Sequence, residues 1–513
     1  MSDNIIEMIN IWKIYSNGFI ANRGINFSVK TGEIHGLLGE NGAGKSTLMN
    51  ILFGFEKATE GKIIYKNSEV HNYNADRAIN MGIGMVHQHF MLVPSLTVVE
   101  NIILGIEPRK GFSTDITKAE KFVSEEMKKY GLPVPLDEKI KNITVGMRQR
   151  VEILKTLVRG ADLIILDEPT AVLTPQETSE LFTALRTLTE KGKTIIFITH
   201  KLGEIKEIAD RITVLRKGAV VGNAQVNDLT EKDISKMMIG RDVELKIKKN
   251  PVKAGEKIME IKNLSFTGND GIKKIKNISF SIREGEITGI AGIEGNGQTE
   301  LVSVITGMSA IQSGEIKFMD KNYDNTEKLR KAGMSYIPAD RMEIGVSENN
   351  SLEENLISDR FKTKEFSKFG ILSYKTIKNN ALDKIKKFDI RTDSYKSPVK
   401  MLSGGNIQKA VVAREFTSGA KFIVADQPTR GIDIAAADFI RRLLVKEREK
   451  KVGVLLVSAD LTELIEVSDR IIVMYKGEIT AKFDDLKKVD ESVLGEYMLG
   501  IKRMNTEEIG DLE

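Results

Sequence analysis

At 513 residues the chain is longer than one hydrophobic core ordinarily supports, so two or more domains are expected. With 41% hydrophobic and 29% charged residues it is not a disordered or fibrous chain, and a net charge of +4 neither requires nor excludes a nucleic-acid or anionic-membrane partner. The absence of cysteine excludes disulfides, cysteine-bound zinc and iron–sulfur clusters. No apolar run of about 18 residues is present to span a bilayer, and the first residues lack signal-peptide features, so a cytoplasmic setting is expected.

In chain order, the apolar strand EIHGLLG runs into Gly39-Glu40-Asn41-Gly42-Ala43-Gly44-Lys45-Ser46, an ungapped fit to GxxxxGK[ST]. Glycines let backbone N–H groups curl around phosphate oxygens, and the helix expected after Lys45, STLMNILFGF with Thr47 in its first turn, points its positive end at them. Lys45 supplies a mobile charge for the β- and γ-phosphates, and the Ser46 hydroxyl is a ligand for Mg2+. Residues 97–142 are more polar and helical in pattern, as in TKAEKFVSEEMKKYG, and suggest an inserted helical region. The strand LIILDEPT then delivers Asp167, expected to hold Mg2+ through water, and Glu168, placed as general base for the attacking water. QETSELFTALRTLTEKG is expected as a helix, and KTIIFITH (193–200) as a buried parallel strand.

The pattern then repeats. GEIHGLLGENGAGKSTL (32–48) recurs as GEITGIAGIEGNGQTEL (285–301), ITVGMRQR (143–150) as LSGGNIQK (402–409), and LIILDEPT (163–170) as FIVADQPT (422–429). Three ordered matches at nearly constant spacing define two tandem α/β domains, 1–240 and 258–502. A charged linker, 241–257, separates them, a second helical insertion is expected over 351–400, and a polar tail follows at 503–513.

With LSGGN (402–406) as the most specific mark, the chain resembles the tandem ATPase subunits of ABC importers for simple sugars and nucleosides over essentially its whole length. The resemblance implies two P-loop ATPase domains, each with a RecA-like core, an antiparallel β subdomain and a helical subdomain. It also implies roles for Gln88 (the Q-loop glutamine and a further Mg2+ ligand), for the D-loop segment 171–174, for His200 as the switch histidine and for Tyr15 as a residue stacking on adenine. In that family two such domains face head to tail, each P-loop opposite the other's signature. The site on the first P-loop would then combine Gly39, Asn41, Gly42, Gly44, Lys45, Ser46, Thr47, Gln88, Asp167, Glu168 and His200 with the signature Ser403, Gly404 and Gly405. Nothing in that set is missing.

The site on the second P-loop departs from the family pattern. Gln298 stands for the lysine, Gln427 for the catalytic glutamate, Ala459 for the switch histidine and Ala339 for the Q-loop glutamine. The signature it would meet keeps Thr144 and Gly146 but has Val145 for a glycine and Met147 after it. Gly292, Gly295, Gly297, Thr299 and Asp426 remain, so this site is expected to bind nucleotide without turning it over efficiently. The resemblance further implies docking on two membrane permease subunits at the cytoplasmic face, with 90–102 near the docking groove and an extracytoplasmic solute-binding lipoprotein delivering the solute. Segments 86–105, 144–157 and 167–177 look closest to the branch serving purine nucleosides, with a ribose or galactose importer as the alternative. Tandem ATPases that act on ribosomes are a distant alternative, since they carry a long basic linker and two complete sites.

Overall fold

In the computed structural model of the protein, residues 3–16, 18–71, 73–88, 90–111, 113–240, 247–268 and 270–505 are described. Residues 241–246 of the expected linker and 506–513 of the expected tail lie outside them. Two compact units divide the chain, Met1–Leu245 and Lys246–Glu513.

The first unit is built on a six-stranded sheet in the order Ala219–Gln225, Arg211–Arg216, Ile34–Gly39, Thr194–Ile198, Leu163–Asp167 and Ile83–Val86. All neighbours are parallel except the pair formed by Ala219–Gln225. Ile34–Gly39 and Thr194–Ile198 are buried along their whole length, which explains their uninterrupted apolar sequences: both faces of a parallel sheet are covered. Against one face packs an antiparallel layer in the order Ile20–Lys30, Asn4–Ile14, Glu60–Tyr65 and Ser68–Glu69, with the helix Lys45–Phe53 between. The helical insertion holds Val98–Ile103 and Ile116–Tyr130, which bury Val99, Ile102 and Val123 against Val151 and Leu154 of the helix Val145–Val158.

The second unit repeats this order with Glu478–Phe483, Arg470–Tyr475, Ile287–Ala291, Gly453–Val457, Phe422–Asp426 and Met334–Ile337. Its antiparallel layer is Lys273–Arg283, Lys257–Thr267 and Ser313–Phe318, and its insertion carries Leu352–Asn355 and Tyr374–Lys387 beside Gly404–Phe416. The described part of the expected linker lies on this unit. Lys249 Nζ donates to Ser468 O (2.5 Å), Asn250 Nδ2 to Glu449 (2.7 Å), and Arg448 Nη1 to Asn250 O (2.6 Å). A segment without apolar periodicity is thus held by polar contacts of its side chains and backbone, a device that period-based reading does not see.

Candidate functional site

The central strand of the first unit ends at Gly39, and the loop that follows turns into the helix Lys45–Phe53. Two positions in the loop require glycine. At Gly44, φ is +100° and a Cβ would lie 2.5 Å from Ala21 O; at Gly39 it would lie 2.4 Å from Leu215 O. Gly44 is also the helix N-cap and offers no side-chain acceptor, so the first N–H groups of the helix are left for an external anion. The Lys45 side chain is 8% exposed, with Nζ donating to Gly39 O (2.7 Å) and Glu40 O (3.1 Å). Burial lowers its pKa, opposed by the charges of Glu168, Asp167 and Glu40.

Parallel pairing carries the second part of the site to the first. Leu163–Asp167 and Thr194–Ile198 lie side by side with Asp167 opposite Ile198, so both strands end where the P-loop begins. Glu168 sits at φ +46°, a left-handed turn that aims its carboxylate back over the strand ends. Its Oε2 accepts from Gln88 Nε2 at 2.9 Å, and its Oε1 pairs with His200 Nδ1 at 3.0 Å. Burial alone would raise the Glu168 pKa, but the His200 hydrogen bond and charge, with Lys45 and Lys201, bring it below the ordinary value. Asp167 goes the other way: burial, then the Glu168 charge, push it up to about 6 against the attraction of Lys45.

Gly44, Lys45, Gln88, Asp167 and Glu168 are among the residues that line a cleft of about 260 Å3, with His200 paired to Glu168. Its floor is Asn41, Gly42, Gly44, Lys45, Ser46 and Thr47, and Gln88, Asp167 and Glu168 face them. Ser46, Gln88 and Asp167 offer a hydroxyl, an amide and a carboxyl, a hard oxygen donor set of the kind that suits Mg2+ with phosphates and water completing the shell. The crowded Asp167–Glu168 pair is an environment that a divalent cation would relieve.

Tyr15, the aromatic expected to stack on adenine, is paired with a second ring. The Tyr15 hydroxyl donates to Glu56 (3.0 Å), and its ring is stacked on Phe19 at 6.4 Å. Phe19, 55% exposed, is the ring that lines the cleft. Sequence reasoning missed Phe19; the signal was a second aromatic four residues on, in a turn where an apolar ring has no core to enter.

In the second unit the same frame is kept with different chemistry. Gly297, at φ +105°, caps the helix Gln298–Ile305, and Gly295 is at φ +91°. Gln298 is buried with Nε2 over Gly292, where a Cβ would lie 2.1 Å away; Thr299 is exposed at the helix start. Gln427 repeats the left-handed turn at φ +48°, but its Oε1 is occupied by the backbone N–H of Ala459 (3.0 Å). Asp426 is 7% exposed, and burial, only partly opposed by Arg430, pushes its pKa up to about 7. Ala339 lies two residues beyond the edge strand Met334–Ile337, as Gln88 lies beyond Ile83–Val86.

The two signature segments also differ. Thr144 caps its helix through Met147 N (3.3 Å), and Gly146 N donates to Glu177 (3.3 Å). Ser403 makes no such cap: its hydroxyl accepts from Asn406 Nδ2 (2.8 Å), ahead of Gly404 and Gly405.

A nucleotide-binding loop and an acidic strand end, set twice on the same sheet order, define a tandem ATP-binding cassette. The profile of the ABC transporter family matches residues 22–171 and 275–430. The nucleoside import ATP-binding protein NupA of Lactococcus lactis is 43% identical over 93% of this chain and 95% of its own length. The guanosine import ATP-binding protein NupO of Bacillus subtilis is 42% identical over 97% of each. The glucose import ATP-binding protein TsgD13 of Haloferax volcanii is 40% identical over 92% of each. The chain belongs to the ABC transporter family and carries two of its ATPase domains.

Proposed function

We propose that the chain is the ATP-hydrolysing subunit that powers import of nucleosides, purine nucleosides in particular. The observation that carries this reading is the Glu168 carboxylate held between Gln88 and His200 across the cleft from the P-loop. In it, phosphate oxygens take N–H groups of the P-loop and of the helix start after Gly44, and Lys45 exchanges its carbonyl partners for the β- and γ-phosphates. Glu168, kept ionised by His200, accepts the proton of the attacking water. Gln88 fixes the other carboxylate oxygen, so the base has one orientation. Mg2+ held by Ser46, Gln88 and Asp167 would neutralise charge on the phosphates. Phe19 and Tyr15 offer a ring stack for adenine. Ser403, Gly404 and Gly405 serve as γ-phosphate ligands. In the second unit the loop from Gly292 to Thr299, with Gln298, Asp426 and Gln427, binds nucleotide but lacks a base, because an amide cannot accept the proton.

No helix among the described residues is long and apolar enough to cross a membrane. As an import ATP-binding subunit it works through two permeases, at the cytoplasmic face, with an extracytoplasmic lipoprotein delivering the solute. Nucleosides are favoured by the similarity to NupA and NupO; the alternative, a simple sugar, is supported by the similarity to TsgD13. The test is uptake of labelled guanosine and of labelled ribose, galactose and glucose in cells carrying Lys45→Ala. Guanosine uptake is expected to collapse while sugar uptake holds. Loss of sugar uptake instead would reassign the solute, and no change in either would overturn the importer reading.

A further inference from the structure

In the second unit the chain leaves the edge strand Met334–Ile337 and makes a wide turn, Arg341–Gly345. Asp340 caps the turn by accepting from Met342 N and Glu343 N, both at 2.9 Å, and so fixes where Arg341 points. The guanidinium reaches two carbonyls of the segment after the acidic strand: Nη1 donates to Arg430 O at 2.8 Å and Nη2 to Gly431 O at 3.2 Å. The same Nη2 lies against the signature, 2.8 Å from where a Cβ on Gly404 would stand. Gly404 is thus glycine for a local reason besides phosphate access: any side chain there would displace the guanidinium.

Two further contacts tie the same segments. Gln408, buried on the signature helix, donates Nε2 to Pro428 O at 2.8 Å. A Cβ on Gly405 would lie 3.0 Å from Asp433 Oδ2, so that glycine too admits close approach. The first unit keeps a close approach at Gly146, the counterpart of Gly405, where a Cβ would lie 2.5 Å from Glu177 Oε1, but it has no guanidinium at the matching place. Counted from the matching strand starts, Ile83 and Met334, Phe90 stands where Arg341 does. Val145 and Val172 stand where Gly404 and Gly431 do, and Gln149 Nε2, the counterpart of Gln408, has no partner among the described residues. The guanidinium and the room for it occur together in one unit and are replaced together in the other.

We propose that Arg341 is a positioning residue for ATP turnover: it latches the Arg430–Gly431 backbone to the start of the signature helix and holds Ser403, Gly404 and Gly405 at a fixed height for the γ-phosphate. A guanidinium suits the task because its rigid planar fork meets the two carbonyls with separate nitrogens in fixed geometry, whereas an ammonium is a single point on a flexible stem. The inference rests on the reading of the signature as a γ-phosphate ligand in a hydrolytic site.

The test is steady-state ATPase kinetics of the full chain with Arg341→Ala and Arg341→Lys, alongside Glu168→Gln. The latch predicts a fall in kcat of about tenfold for Arg341→Ala with KM for ATP unchanged within about twofold, since pre-organisation is lost and not the main binding contacts. Arg341→Lys restores only part of it. Hydrogen exchange at Arg430–Asp433 should quicken in Arg341→Ala while the strand Phe422–Asp426 stays protected. Wild-type kcat in Arg341→Ala, full restoration by lysine, or unchanged exchange at 430–433 each overturns the latch. Should the alanine variant not fold, Arg341→Gln, which keeps a planar donor, takes its place with the same expectations. Wild-type turnover by Glu168→Gln is a different failure: it removes the hydrolytic reading and leaves the latch geometry standing.

Discussion

Glu168 and Gln427 occupy the same left-handed turn, at φ +46° and +48°, with opposite chemical consequences. The carboxylate of Glu168 is held by Gln88 and His200, whereas the amide oxygen of Gln427 is spent on Ala459 N. Glu168→Gln keeps size and hydrogen bonding but removes the proton acceptor. ATPase activity of that variant should fall by about 10²–10⁴-fold with ATP binding retained; residual turnover near wild type would show that the second unit carries hydrolysis. Asp426 supports a separate expectation. It is buried with a pKa pushed up to about 7 from an ordinary 3.8, so the nucleotide-free protein bears a cost for ionising it. Below about pH 4 the group is protonated in folded and unfolded chains alike and costs nothing; the cost grows as pH rises from there to the folded value and levels off above it. Asp426→Asn should therefore stabilise the nucleotide-free chain by on the order of 2–4 kcal/mol at about pH 8. The gain should shrink steadily towards about pH 4. Thermal unfolding at two pH values checks this, and an equal gain at both would contradict it.

At the scale of elements, function depends on where strands stop. The P-loop, Asp167 and His200 follow three neighbouring parallel strands, Ile34–Gly39, Leu163–Asp167 and Thr194–Ile198, and register alone brings their ends together. The loop conformation depends on glycines at positive φ pressed against backbone. Gly44→Ala combines strain at φ +100° with a Cβ 2.5 Å from Ala21 O, an atom that cannot swing aside. It should destabilise the first unit by about 1–3 kcal/mol and abolish ATP binding, read by thermal unfolding and nucleotide titration. Gly42→Ala is the control, since its Cβ would meet nothing within 4 Å although φ is also positive, at +80°. The signature helices differ at the same scale: one start is capped by Thr144, and the other has no side-chain cap at Ser403 and lies beside the Arg341 guanidinium.

For the molecule as a whole, the repeat, the α/β class and the two P-loops were legible because each rests on local chemistry at fixed spacing. Glycines that must turn, a lysine, a hydroxyl and an acid pair after an apolar run cannot be rearranged without losing the reaction. The exchanges at Gln298, Gln427 and Ala459 were legible for the same reason. What escaped was contact between segments far apart in the chain. Phe19 lines the cleft only because the turn at Tyr15 folds back, and Tyr15 is drawn aside to Glu56. Arg341 and Gly404 are separated by the whole helical insertion, and nothing in either sequence neighbourhood announces the other. The sequence by itself determined which chemistry each half can carry, since side-chain identity decides whether a group can bear charge or take a proton. Only the tertiary structure decided how those groups are held, because orientation, burial and the pKa values that follow from them depend on parallel strands and crossing helices that bring distant residues within hydrogen-bond reach.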